Sequence, residues 1–233
     1  MPQPEPIGVE PLPLEPAVLQ DLYGLCRAIR EHAHRVVQRE VRKADLFAEL
    51  AYGKLSDADF VRRLRSLNAA HESHLDEGVP DAGQLLQYLP PDRLRRANSQ
   101  VAFGIDAAED ALAMTLKDRR QAGIWFNAFR ALLGGWFLRL ELLDDLASRI
   151  RSALDGTKAN QPSSADTEKY LKILPRNSNV ISCFHFVRAF KNCGKSQNQL
   201  IEEFAKRQDA SPVALLRGMN RYGERLRDAG FSL

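Results

Sequence analysis

Cysteine is scarce in this chain. Its three cysteines, Cys26, Cys183 and Cys193, are an odd number spread over 233 residues, so they do not make a framework of bridges and read as core or boundary residues. An uninterrupted apolar run is also missing. The most apolar stretch, residues 124–143, is broken by Asn127, Arg130, Arg139 and Glu141, which a bilayer would penalise heavily. The opening Met1-Pro2-Gln3-Pro4-Glu5-Pro6 lacks the basic start and apolar run of a signal peptide. These absences predict a soluble, cytoplasmic protein with no membrane partner. There is no internal repeat and no heptad run long enough for a coiled coil. No Ser-His-Asp set or carboxylate pair can be argued from spacing, so the reading is a binding protein and not an enzyme, with no cofactor.

What is present is a globular composition, 44% hydrophobic and 27% charged, with an uneven distribution of charge. Residues 1–155 hold 20 Lys+Arg against 23 Asp+Glu, a net −3, whereas residues 156–233 hold 13 against 7, a net +6. Affinity for a polyanion follows local charge, so the C-terminal part is where an acidic partner is expected.

The patterning predicts an all-α protein with four parts. Residues 1–16, with Pro2, Pro4, Pro6, Pro11, Pro13 and Pro16, form a proline-rich tail or edge-packing arm. Residues 17–155 form a helical bundle. Its first helix, about residues 17–50, carries Leu19, Leu22, Cys26, Ile29, Ala33, Val37, Val41, Ala44 and Phe47 at helical spacing. A second helix follows the N-cap segment Ser56-Asp57-Ala58-Asp59. After a short helical piece at residues 84–89, Pro90-Pro91 restarts the chain into a helix expected to stop at Gly123. A central helix then runs over residues 124–154, where Gly134-Gly135 either kinks it or permits close packing. Residues 156–166, almost without apolar side chains, read as a linker. Residues 167–233 are a small basic helical module. Within it, a short helix is expected near 167–174, then helices at 197–207 and after the Ser211-Pro212 cap, while residues 180–190 suit either a helix or a strand.

The last two helices resemble a helix-turn-helix, the general fold type and no particular family. Leu200, Ile201, Phe204 and Ala205 pack the first, Asp209-Ala210 turns the chain, and the second presents Arg217, Arg221 and Arg225 at four-residue spacing opposite Leu215, Leu216, Met219, Tyr222 and Leu226. Asp209 stands where many such units carry glycine. The candidate nucleic-acid-binding residues are Arg217, Asn220, Arg221, Arg225, Lys195 and Arg207. Asn220 and Arg221 are best suited to read bases, and the others supply attraction to phosphates. DNA within a regulatory or multi-subunit assembly is the expected partner, with the acidic bundle docking on a protein or on itself. The alternative is a helical adaptor without a nucleic-acid role.

Other constellations are weaker. Ala189 to Ser196 satisfies a loose phosphate-loop pattern, but no parallel sheet can follow it, and Gly194 reads equally as a helix cap. Glu31-x-x-His34 has the spacing of a di-iron bundle, and His71 and His74 continue an apolar stripe, which gives a third reading, a metal-dependent helical-bundle enzyme. Glu31 and His34 lie about 200° and about 140° around the helix from Ile29, away from its apolar face, and a second Glu-x-x-His is missing. Cys183, His185 and Cys193 lack a fourth zinc ligand. No metal is expected.

Overall fold

A computed structural model describes residues 9–75, 82–157 and 169–233, the side chains of 70–75 excepted. The fold is all-α, with eight α-helices and no strand among the described residues: α1 (Pro16–Ala51), α2 (Asp57–Leu75), α3 (Gly83–Leu86), α4 (Pro91–Lys117), α5 (Ala122–Leu154), α6 (Ser178–Ala189), α7 (Gln197–Gln208) and α8 (Pro212–Asp228). No helix in this set is long and apolar enough to cross a membrane.

The first helix starts on Pro16, whose missing N–H costs nothing in an opening turn, and ends before Gly53, where φ is +84°. Its stripe from Leu19 through Cys26, Ala33 and Val37 to Phe47 is buried, mainly against α5. Ahead of it, the described part of the proline-rich arm is held by the Glu10 N–H, which donates to the Gln87 carbonyl at 2.9 Å.

At the centre lies α5, packed against α1, α4 and α6. Helix continuity through Gly134-Gly135 decides between the two readings of that pair in favour of close packing. A Cβ on Gly135 would lie 2.7 Å from the Val101 backbone nitrogen, and one on Gly104 would lie 2.6 Å from the Leu132 backbone. Glycine on both helices therefore lets α4 and α5 meet backbone to backbone. The preceding stop comes earlier than Gly123. Helix α4 ends at Lys117, Asp118 takes an extended conformation and its side chain caps the Arg120 N–H, and a single 3-10 turn at Arg119–Gln121 leads directly into α5.

The ambiguous run after the linker is helix α6. Residues 180–186 are all buried, because α1, α5 and α8 surround this helix. Burial on every side removes the alternation of polar and apolar residues that identifies a surface helix, and tertiary packing overrides the strand preference of Val180, Ile181 and Phe184. Residues 158–168, most of the expected linker, lie outside the described residues, as do the side chains of His71 and His74. On the far side, the chain resumes with a 3-10 turn at Leu171–Ile173 in place of the expected short helix.

One hydrophobic core includes Phe47 on α1, Phe126 on α5, Phe186 on α6, Phe204 on α7 and Leu226 on α8. Polar stitches reinforce it. His185 Nδ1 meets Asp45 Oδ1 at 2.7 Å, Arg188 forks onto the same carboxylate, and Tyr52 Oη lies 2.7 Å from Ser182 Oγ. At the C-terminal end, Phe231 stacks on His34 at 4.3 Å between ring centroids, while the Gln38 amide exchanges two hydrogen bonds with the Ser232 backbone.

Candidate nucleic-acid interface

Local sequence builds the α7–α8 pair. Ser196 and Gln199 form a capping box at the start of α7, satisfying donors that a helix start leaves open. Asp209 closes this helix in the left-handed conformation, at φ +47°, which its short polar side chain tolerates better than most. Asp209 thus does the job of the glycine common at this turn. Ser211 then caps α8, accepting from the Ala214 N–H at 3.4 Å, with Pro212 in the first turn.

Helix α8 buries Leu215, Met219, Tyr222, Gly223 and Leu226, largely against α6. Two glycines set the closeness of that crossing. A Cβ on Gly218 would come within 2.8 Å of Val180, and one on Gly223 within 2.9 Å of the Phe184 ring. Neither was singled out from sequence, although glycine twice inside an otherwise good helix is a signal for close approach.

The six candidate side chains fall into separate groups. Arg217 and Arg221 are exposed, about 40° apart on the outer arc of α8, and neither makes a hydrogen bond or ion pair among the described residues. Arg225 borders this arc, but its guanidinium donates to the Lys172 carbonyl. Asn220 is exposed toward a cleft of about 460 Å³ between α6 and α8, where Lys191 and Arg227 also stand. Lys195 and Arg207 are drawn together elsewhere by Glu203, at 2.6 Å and 2.5 Å. The Lys195 hydrogen bond, helped by that from Arg207, holds the Glu203 carboxyl below its ordinary range. Glu224 and Asp228 also lie within the outer arc of α8, so its arginines alternate with carboxylates. On this arc, positive charge without a partner among the described residues therefore lies near the middle of α8, at Arg217 and Arg221.

The other constellations acquire structural roles. Ser196 caps α7 and the preceding element is a helix, so the Gly194-Lys195-Ser196 segment is not the strand-to-helix loop that cradles phosphates. His34 Nε2 lies 3.3 Å from the Ala229 carbonyl, and Glu31 lies 3.9 Å from Arg27 on the surface. His185 is spent on Asp45, and Cys193 is exposed. Burial pushes the Cys183 thiol up to about 12, and burial together with the nearby Asp144 charge does the same for Cys26, which makes both poor nucleophiles. Among the described residues no group of three or more His, Cys, Asp or Glu side chains is placed to hold a metal ion.

No protein-family model matches this chain, and neither the curated proteins nor the solved structures give a significant match.

Proposed function

We propose that this chain is a non-enzymatic nucleic-acid-binding protein, with DNA the preferred partner, that meets the phosphate backbone through the middle of α8. The supporting observation is the pair Arg217 and Arg221, exposed on a helix capped and packed as a groove-entering helix must be, with no carboxylate among the described residues consuming either charge. Lys191 and Arg227 beside the α6–α8 cleft extend the positive surface, and Asn220, facing that cleft, is the side chain suited to a base edge. Lys195 and Arg207 share the single Glu203 carboxylate, so the trio keeps one net positive charge and contributes long-range attraction more than direct contact. Fluorescence anisotropy of duplex and single-stranded oligonucleotides at low salt tests the proposal. Binding of either by the full chain supports it, and binding of neither overturns it.

A second reading, a helical adaptor, rests on a different surface. Phe103 and Met114 are 65% and 47% exposed on α4, about 20° apart on one face three turns along. Two large apolar side chains in line on an open helix suit a protein partner. The two surfaces are compatible in one molecule.

A further inference from the structure

Between α1, α2, α4 and α5 lies a cleft of about 380 Å³, within the range of roughly 300–1,000 Å³ typical of small-molecule sites. It is remote in sequence from α8 and independent of the nucleic-acid reading. Phe47, Phe60, Trp125 and Trp136 give it an aromatic lining. Trp125 is held rigid by stacking on Phe47 at 3.9 Å and on Phe129 at 5.1 Å between centroids, and the Arg139 guanidinium sits 4.4 Å from the Trp136 ring. The lining is therefore preorganised, so a ligand would not have to order it.

The polar end has an unusual balance. Glu40, only 6% exposed, holds Arg39 and Lys43 on its Oε1 at 3.0 Å and 2.9 Å, and Glu109 stands on the α4 side. Two cations and two carboxylates cancel, so an incoming anion meets Glu40 and Glu109 while an incoming cation meets Arg39 and Lys43. An uncharged group is admitted at the lowest desolvation cost. Asn68, which also lines the cleft, has its amide oxygen buried without a hydrogen-bond partner. No donor among the described residues meets that acceptor.

We propose that this cleft binds an uncharged, mainly apolar small molecule that presents one hydrogen-bond donor, a hydroxyl or an amide N–H, to Asn68, with its apolar body against Trp125 and Phe60. The protein carries its own reporter, because its two tryptophans both line the cleft. Titration of the full chain with phenylbutanol, phenylbutanoate and phenylbutylamine, read by tryptophan emission, compares three head groups on one apolar body. The alcohol is expected to give a saturable change and to bind at least about fivefold more tightly than either ion. Ala108→Phe, which fills the cleft, is expected to abolish the change, and thermal melting of that variant checks that it remains folded. Asn68→Leu is expected to weaken the alcohol by about five- to tenfold, the worth of one hydrogen bond. Tighter binding of either ion, no saturable response to the alcohol, or unaltered binding by a folded Ala108→Phe protein would overturn the proposal.

Discussion

Asp45 joins the two ends of the sequence at a single carboxylate. Burial alone would raise its pKa, but the hydrogen bond from His185 and the Arg188 fork outweigh burial and hold it below the ordinary carboxylate range. Its carboxyl is thus ionised and His185 Nδ1 carries the shared proton. A group depressed in this way contributes stability above its unfolded pKa of about 4, and that contribution disappears as pH falls through the lower folded value. Asp45→Asn is expected to cost about 3 kcal/mol at neutral pH, because it leaves the Arg188 guanidinium without its counter-charge and the His185 Nδ1–H without its carboxylate acceptor. The gap from wild type should narrow in acid, and urea unfolding at both pH values measures it. A gap that stays constant would mean that packing, not charge, makes the contribution. Tyr222 gives the reverse case. Its ring is buried and its hydroxyl has no hydrogen-bond partner among the described residues, so Tyr222→Phe should leave stability unchanged or raise it by up to about 1 kcal/mol in the same assay. A loss of stability would point to a water-mediated bond at that hydroxyl.

At the scale of elements, the sequence was legible where local chemistry acts alone. The Ser56 and Ser211 caps and the Pro212 first turn are decisions made within a few residues, and each stands where the sequence pattern puts it. Legibility failed where a distant partner decides. Helix α6 was unreadable as helix or strand because its neighbours bury it on every side, and the stop before α5 was misplaced because Asp118 ends α4 and Gly123 does not. Glycines separate these cases experimentally. Gly123 has open space around a would-be Cβ, so Gly123→Ala should stabilise α5 by about 0.5–1 kcal/mol. Gly104→Ala would press into the Leu132 backbone at 2.6 Å, and since backbone cannot move aside like a flexible side chain, a loss of about 2 kcal/mol or more is expected in thermal melting. Equal effects of the two substitutions would contradict the backbone-to-backbone account of the α4–α5 contact.

For the whole molecule, the division of charge was legible by counting, but the division of labour among the positive side chains was not. The Glu203–Arg207 pair was readable from its four-residue spacing on α7, but the reach of Lys195 to the same carboxylate and the uptake of Arg225 by the Lys172 carbonyl were not. The carboxylates of Glu224 and Asp228 on the α8 arc were readable from the same periodicity that picked out the arginines, and on that arc they leave Arg217 and Arg221 as the cations toward its start. The single core that includes Phe47 and Phe204 means that α8 is presented by a rigid body that extends through α1 and α5, and is not carried on an isolated hairpin. A rigid presentation lowers the ordering cost of docking on a regular polyanion. The most direct measurement is the salt dependence of oligonucleotide affinity for the full chain and for Arg217→Ala/Arg221→Ala. Removal of two phosphate contacts is expected to weaken binding about tenfold or more at low salt and to flatten the slope of log K against log salt by about 2. Unchanged affinity and slope in the double variant, with binding intact, would contradict the assignment of α8 as the contact surface.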